Sequence, residues 1–525
     1  MKPLKGYNLN LASHRASTTR AQRPQQTPHT SVSTLLQTNS PVKKQFTLSL
    51  ILLCLLCLPQ AILAQSRIRA VVDFNYQPNP EADHYNQRLP HKSIPVGQNE
   101  FILLNRQGDG KYTVEKYNAD LKKLWAAEIP MAAGEEVDKF TAGQEAALVV
   151  THRQNGQNQL LHAHRINLKT GKAEQPVQLL EAPAKGRRAG VAVSADGTQV
   201  LAYRFHTDNS FQIQSISGTL YNGSLQKQQD VKYDLSDLRG ILTADIQVGN
   251  GGEQYVNLIS DQMNRLSVRQ YKPGSREVRV MSVLVGGVFG GQKVYIRDTR
   301  FELMPNGQMY GAVLTANEKS GGYYSLKAVQ YDFENEDMRF AEEYMFTPEY
   351  VQKVNALDKT NKSNTLQDIY LTDLILTPER QLLILAEKKY TEGGEGAPYF
   401  AKELHLFAYD EYMTFDWNSV LMKQQQAPAS EGFTSISYSS YLSGNTLSLL
   451  TLEELDGKYD LYLRQLNTNN GSATAPQGLR LNIPNDKKLA YVKDYTTWLA
   501  GKDIVTVLRG GKKADKLQLT RIEIR

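Results

Sequence analysis

Residues 112–118 read YTVEKYN, with apolar side chains at the first, third and sixth positions and a polar one at the seventh. The same seven-residue frame, with the polar seventh position in most copies, occurs eight times along the chain. Its copies begin at Tyr112, Leu161, Phe211, Leu266, Leu326, Leu404, Leu461 and Leu517. Most copies follow one another at roughly 50 to 60 residues, the length of four strands with their turns, and this regular self-similarity indicates a repeat fold.

Strand signals surround each frame. An apolar run such as residues 101–104 precedes most copies and is predicted to form a hairpin with the frame. A shorter strand, as in residues 189–193, comes before that hairpin, and a fourth strand, as in residues 122–129, follows the frame. Turns such as Asp196-Gly197 supply the positive φ that hairpins need. Each repeat is therefore predicted to be a four-stranded antiparallel sheet that buries its faces by stacking on its neighbours.

In this architecture the chain resembles the β-propeller superfamily, and the resemblance spans residues 67–525. The resemblance rests on the seven-residue frame and on the Asp196-Gly197 turn. The repeats have no Trp-Asp ending and no paired-glycine kelch signature, so the resemblance implies a fold and no particular activity. We predict an all-β fold with a single β-propeller, for which eight blades are favoured and seven are the alternative.

The last repeat bears on how the ring closes. Its frame stops at Glu523, so the repeat lacks a fourth strand of its own. Ahead of the first repeat, residues 67–74 form a strand-like run that belongs to no frame. We predict that this run pairs with residues 517–522, which would close the ring and remove exposed strand edges.

An apolar run near the front of the chain has the layout of a secretory signal peptide. Lys43 and Lys44 precede the run over residues 46–58, and Ala64 supplies a small residue where a peptidase would cut. The run is shorter than the roughly 20 residues that span a bilayer as a helix, and Pro59 follows it. An uncleaved membrane anchor is the alternative reading.

Three segments follow from this layout. Residues 1–42 are rich in Ser, Thr, Gln, Asn and Arg without an apolar period, which is typical of a disordered leader or of a start codon assigned too early. We predict a signal peptide over residues 43–64 and the propeller domain over residues 65–525. The only cysteines, Cys54 and Cys57, would leave with the signal peptide, so the mature chain would have neither a disulfide nor a thiol nucleophile.

The net charge of +6 does not indicate nucleic-acid binding. Residues 1–64 contain seven Lys or Arg and no Asp or Glu, so the remainder of the chain is close to neutral. A nucleic-acid-binding surface needs a basic patch in the folded part. We therefore expect no nucleic-acid partner.

Charged residues near the predicted innermost strands are the first candidates for a site, because these strands line the central channel of a propeller. They are Lys139, Arg188, Asp245, Arg300 and Asp373. Together they would bind an anionic sugar or a peptide at the channel rim, or let an aspartate act as a general base beside basic groups. The alternative is that they are solvated strand ends with no common site.

A long gap between the fifth and sixth frames supplies a second candidate surface. Residues 347–367 and 388–402 exceed what a blade needs, and the latter segment carries Tyr390 and Tyr399. Insertions on a rigid ring often bind partners, although they also occur as passive elaborations. His162 and His164 alternate in one strand, but no third ligand is dictated nearby, so we predict no metal site and no cofactor.

These observations favour an exported, non-enzymatic binding or scaffold protein that contacts an extracytoplasmic protein or glycan through its loops and channel mouth. The alternative is an exported propeller enzyme, a hydrolase or lyase acting on glycans or peptides. Either protein would be periplasmic or extracellular and would keep no integral membrane span after signal cleavage.

Overall fold

The computed structural model describes residues 66–78, 89–358, 363–394, 396–499, 503–511 and 515–524. The predicted leader and signal peptide lie outside these ranges. The described residues form eight antiparallel sheets arranged in a ring, which confirms the predicted all-β propeller and its eight blades. Within the same ranges, no helix is long and apolar enough to cross a membrane.

The first strand of the chain, β1 (Arg67–Asp73), belongs to the last blade. Blade 1 contains β2 (Ser93–Pro95), β3 (Glu100–Arg106), β4 (Tyr112–Asn118) and β5 (Lys123–Ile129). Blade 2 contains β6 (Glu135–Ala142), β7 (Ala146–Asn155), β8 (Asn158–Asn167) and β9 (Val177–Pro183). Blade 3 contains β10 (Gly190–Val193), β11 (Gln199–Thr207), β12 (Ile213–Asn222) and β13 (Lys227–Asp234). Blade 4 contains β14 (Thr243–Val248), β15 (Gln254–Ser260), β16 (Arg265–Tyr271) and β17 (Val278–Leu284).

Blade 5 is enlarged and contains β18 (Gly287–Phe289), β19 (Gln292–Leu303), β20 (Met309–Asn317), β21 (Tyr323–Asp332), β22 (Asp337–Phe340) and β23 (Tyr344–Met345). The helix α1 (Pro348–Leu357) follows it. Blade 6 contains β24 (Ile369–Leu376), β25 (Leu382–Thr391), β26 (Tyr399–Tyr409), β27 (Phe415–Leu421) and β28 (Gln425–Ala427). Blade 7 contains β29 (Ser439–Ser443), β30 (Thr446–Leu455), β31 (Lys458–Asn467) and β32 (Gln477–Gly478). Blade 8 contains β33 (Tyr491–Leu499), β34 (Asp503–Leu508) and β35 (Gln518–Glu523), with β1 as its outer strand.

The ring closes as the sequence predicts. Strand β1 pairs antiparallel with β35, with Arg67 opposite Glu523 and Asp73 opposite Gln518. The backbone N–H of Phe74 extends the ladder by donating to the carbonyl oxygen of Leu517 at 3.1 Å. Hydrogen bonds between strands from opposite ends of the sequence therefore complete blade 8.

The hydrophobic core lies between neighbouring blades. One cluster joins Leu201 and Ile216 of blade 3 to Val256 and Leu258 of blade 4. All seven residues of β15 are buried, because the second strand of a blade is covered on both faces. Each fully buried aliphatic side chain contributes about 2 kcal/mol, so stacking supplies the burial that a lone blade lacks.

The polar seventh position of the frame closes a turn. Asn118 Oδ1 accepts hydrogen bonds from the backbone N–H groups of Asp120 (3.1 Å) and Lys122 (2.9 Å), between the third and fourth strands of blade 1. The residues that accept equivalent bonds in other blades are Asn167, Asn222, Asp332, Asp410 and Asn467. Asn and Asp suit this place because their side chains bond to backbone two residues ahead.

The prediction that a frame begins at Phe211 is wrong. Phe211 precedes β12, is 66% exposed and has a φ of 60°. In the register of the other blades, the frame of blade 3 begins at Ile216 and has Gly218 at its third position. A Cβ at Gly218 would lie 2.4 Å from the carbonyl oxygen of Ala202, so this blade has no side chain where the pattern requires an apolar one.

The described residues of the predicted insertions pack against blades 5 and 6. Helix α1 begins after Thr347, whose hydroxyl caps the N–H of Tyr350, and it buries Tyr350 beside Phe407. Residues 388–402 are mostly strand rather than loop, because β25 and β26 extend beyond the blade. Tyr390 lies near the end of β25, and Tyr399 begins β26.

Candidate functional site

The first strands of the blades line the central channel, and several of them carry β-bulges. The bulges in β6, β19 and β24 each leave one residue unpaired in the ladder: Asp138, Arg297 and Thr372, respectively. In β33 the ladder is interrupted over residues 493–496. Bulges re-aim side chains and are common beside functional sites. They therefore determine which side chains of these strands face the channel.

Four of the five predicted rim residues share one environment. Lys139, Asp245, Arg300 and Asp373 all act electrostatically on the carboxyl group of Glu302 in β19. Burial raises the pKa of Glu302, and the carboxylates of Asp373 and Asp245 raise it further, while Arg300 and Lys139 act in the opposite direction. These four side chains, from blades 2, 4, 5 and 6, therefore all affect the ionisation of one glutamate.

The fifth predicted residue, Arg188, is engaged in ion pairs with blade 2. Its Nη2 donates to Asp138 Oδ1 at 2.6 Å and its Nε to Asp138 Oδ2 at 3.3 Å, while Nη2 also lies 3.2 Å from Glu136 Oε2. Bidentate pairing of this kind fixes the guanidinium geometry. Arg188 therefore links the start of blade 3 to the bulge of β6.

A cavity of about 850 Å³ opens in the channel and is called here the channel cavity. Blades 1, 2, 5, 6, 7 and 8 contribute to its wall. Charged and aromatic residues of its wall include His91, Arg300, Asp373, Lys389, Tyr441 and Trp498. A volume of this size accommodates a ligand of several sugar or amino-acid units.

Arg300 and Asp373 form one side of the channel cavity. Arg300 Nη2 lies 3.8 Å from Asp373 Oδ1, and both side chains are partly exposed. The buried Nε of Arg300 has no hydrogen-bond acceptor among the described residues. Tyr438 OH donates to Asp373 Oδ2 at 2.6 Å, which holds this carboxylate in place. Arg300 consequently presents a partly exposed guanidinium to the cavity, and Asp373 lies too far from its Nη2 for a hydrogen bond.

A buried glutamate organises the lysines of blade 6. Glu387 is fully buried, with Oε1 at 2.6 Å from Lys423 Nζ and Oε2 accepting from Ser437 Oγ at 2.6 Å. Burial opposes ionisation, but the Lys423 and Lys389 cations outweigh it and lower the pKa of Glu387. Lys389 Nζ stands farther away, at 3.9 Å from Glu387 Oε2, and lines the cavity.

Aromatic residues form another part of the wall. Tyr441 and Trp498 stack with ring centroids 5.5 Å apart and planes 12° apart. Trp498 Nε1 donates to Ser439 Oγ at 3.0 Å, which fixes the indole. Tyr441 remains half-buried and borders the cavity. A fixed aromatic face beside hydroxyl groups suits the apolar face and the hydroxyls of a sugar ring.

His91 is open to the channel solvent while protein surrounds it on several sides. This enclosure lowers the pKa of His91, and the Lys493 cation lowers it further, against the carboxylates of Asp373 and Asp494. His91 is therefore mainly neutral at pH 7. The positive charge of the cavity comes from Arg300 and Lys493, with Lys389 beside them.

A second depression of about 570 Å³ borders the turns that end the first strands of blades 3 to 5, and we call it the turn-side groove. Lys139, Asp245 and Glu302 line it together with Glu253 and Lys272. Carboxylates outnumber lysines among these five residues. The two depressions thus differ in charge, since three basic residues and two aspartates line the channel cavity: Arg300, Lys389, Lys493, Asp298 and Asp373.

Of the two insertion tyrosines, Tyr399 contacts the wall of the channel cavity and Tyr390 packs within blade 6. Tyr399 packs edge-on against Phe433 with centroids 5.1 Å apart, and Phe433 lines the channel cavity. Tyr390 stacks on Phe400 with centroids 4.9 Å apart and lies 5.8 Å from the ammonium groups of Lys388 and Lys402. Both tyrosines therefore have intramolecular contacts within blade 6 and its neighbour.

The sequence pattern does not single out Glu302, Lys389, Lys493 or Trp498. One signal was available for the first of these: Asp298, Arg300 and Glu302 alternate along one strand, so they share a face. The others depend on which blades meet across the channel, which no local pattern encodes. The described residues contain no cluster of three or more His, Cys, Asp or Glu side chains arranged to hold a metal ion. His162 instead pairs with Glu135, at 3.3 Å.

Eight stacked blades around a channel with a basic, aromatic cavity define an eight-bladed β-propeller. No protein-family model matches the chain. No curated protein matches it either.

Several solved structures are similar to this chain at low identity. The polysaccharide lyase Uly1 is 11% identical, with a TM-score of 0.41 over 76% of this chain and 92% of that one. The β-propeller domain of the Trilobed protease from Pyrococcus furiosus is 10% identical, with a TM-score of 0.36 over 78% of this chain and 97% of that one. Dipeptidyl peptidase 4 of Porphyromonas gingivalis is 13% identical, with a TM-score of 0.42 over 85% of this chain and 62% of that one.

Proposed function

We propose that this chain is an exported binding protein whose channel cavity holds an acidic oligosaccharide. One observation carries the proposal: Arg300 borders the cavity with a partly exposed guanidinium, whose Nη2 lies 3.8 Å from Asp373 Oδ1, too far for a hydrogen bond. A guanidinium in this state favours a carboxylate or sulfate, because charge-assisted hydrogen bonds are about twice as strong as neutral ones.

The remaining wall favours a sugar over a peptide. Tyr441 offers a half-buried ring backed by Trp498, and Ser439, Ser440 and Thr372 offer hydroxyl groups. Sugars present an apolar ring face and many hydroxyl groups to such a surface. The signal-peptide layout of residues 43–64 supports export, which would bring the cavity to extracellular or periplasmic glycans.

Calorimetric titration tests the proposal with a uronate tetrasaccharide and with its carboxyl-reduced, neutral counterpart. We expect the acidic sugar to bind and the neutral one to bind much more weakly. Replacing Arg300→Gln should weaken binding of the acid by roughly tenfold to a hundredfold, the range for a hydrogen bond to a charged group. Added salt should also weaken it, because the ion pair is partly exposed.

The matched control is Arg339→Gln, in the outer strand β22 of the same blade, where Arg339 pairs with Asp337 at 2.9 Å. This variant should bind like the unaltered protein. Equal affinity for the acidic and neutral sugars, or equal loss in both variants, would refute the proposal. Mass spectrometry of the sugar after titration also reports on the enzyme alternative, since a shortened sugar would establish cleavage instead of simple binding.

A further inference from the structure

The amine of Lys389 makes fewer and longer contacts than the amine of the neighbouring Lys423. Lys423 Nζ lies 2.6 Å from Glu387 Oε1 and donates to Gln425 Oε1 at 3.0 Å. Lys389 Nζ lies 3.9 Å from Glu387 Oε2, which is too long for a hydrogen bond, and 5.3 Å from the ring centroid of Phe433. Its side chain is 21% exposed and lines the channel cavity. The amine is therefore reachable from the cavity and weakly held.

Burial and charges on several strands shift the pKa of the Lys389 amine. Burial lowers the pKa of Lys389, and the Lys493 and Lys423 cations lower it further. Glu387 and Asp373 act in the opposite direction without cancelling the effect. A desolvated lysine beside other cations is a standard way to obtain a nucleophilic amine near neutral pH.

We propose that Lys389 is a nucleophile that forms an imine with an acidic carbonyl compound held in the channel cavity. The Nζ lone pair attacks the carbonyl carbon while the carbon–oxygen π pair moves to oxygen. The oxygen then leaves as water with the two hydrogens of the neutral amine. A solvent proton converts the imine to an iminium ion, whose positive charge faces Glu387.

Arg300 supplies the anchor for the acid group, so the inference rests on the proposed anion-binding role of the cavity. A 2-oxo acid or an aldehyde-bearing sugar acid carries both groups that the wall addresses. A carbonyl compound without an acid group should react through Lys389 alone. Comparing carbonyl compounds with and without an acid group therefore separates the role of Arg300 as anchor from that of Lys389 as nucleophile.

Reductive trapping tests the inference with pyruvate and sodium cyanoborohydride at pH 7, followed by peptide mapping. We expect more of the carboxyethyl adduct on Lys389 than on Lys227, because the lowered pKa of Lys389 leaves more free amine at pH 7. Lys227 is a suitable comparison because its side chain is 57% exposed. The Lys389→Arg variant keeps the charge and should show only surface labelling.

Two further measurements separate the possible failures. Arg300→Gln should lower the yield with pyruvate and leave the yield with acetone unchanged, since acetone has no acid group. Uniform labelling of Lys389 and Lys227 while the uronate sugar still binds would refute the imine and spare the proposed function. Uniform labelling with no binding of the acidic sugar would refute both.

Discussion

At the scale of single residues, Glu302 shows how burial and neighbouring charges shift the pKa of a side chain. Arg300 and Glu302 share a face of β19, and the carboxylates of Asp245 and Asp373 approach from blades 4 and 6. Burial and these carboxylates raise the pKa of Glu302. A glutamate in this state makes the stability of the protein depend on pH.

The sign of that dependence follows from linkage. The pKa of Glu302 is raised above its ordinary 4.5 in the folded protein, so its contribution to stability is fully present below pH 4.5 and is lost as pH rises through the folded-state pKa. Glu302→Gln keeps the shape and removes the charge. We expect the variant to unfold at higher urea concentration than the unaltered protein at pH 7, and at the same concentration near pH 4. A less stable variant at pH 7 would contradict the argument.

At the scale of structural elements, a tryptophan that packs on a turn of the next blade joins neighbouring blades at two places in the ring. Trp417 of β27 donates from Nε1 to the carbonyl oxygen of Thr468 at 2.7 Å, and Trp125 of β5 donates to Leu168 at 3.2 Å. In each case the indole covers a glycine of the next blade's turn, Gly471 or Gly171. The outer strand of one blade thus packs on a turn of its neighbour.

Gly471→Ala tests this element. A Cβ there would lie 2.4 Å from the Trp417 ring, and Gly471 has a φ of 68°. Gly457→Ala is the matched control, because its φ is 69° and nothing lies within 4 Å of its Cβ position. We expect the control to cost about 1 kcal/mol for the backbone alone, and Gly471→Ala about 1–3 kcal/mol more for overpacking. Equal free energies of unfolding for the two variants in urea would contradict this, because they would show that Trp417 moves aside at no cost.

The elements were more predictable than the site. The frame predicts the third strands because alternation and the closing Asn or Asp are local, and it fails at Phe211 because Gly218 interrupts the pattern in blade 3. Lys139 and Asp373 were found by their position near strand starts. Lys389 was not, because its role depends on Glu387, Lys423 and a channel that forms only when distant blades meet.

At the scale of the whole molecule, ring closure and the candidate site depend on each other. The channel cavity takes Lys493 and Trp498 from blade 8 and His91 from the segment before blade 1. Blade 8 in turn is completed by β1. A ring that opened at this seam would separate the two ends of the wall.

A cross-link between β1 and β35 tests the closed ring most directly. Val71 and Thr520 are direct antiparallel partners, and such pairs have Cα separations of about 4.5–5.5 Å, within the range that a disulfide spans. We predict that Val71→Cys with Thr520→Cys forms an intramolecular disulfide, identified by peptide mapping, and that the acidic sugar still binds. Asp73→Cys with Thr520→Cys lies two residues out of register and should not cross-link. A bond in the second pair but not in the first, or none in either, would contradict the closed eight-bladed ring.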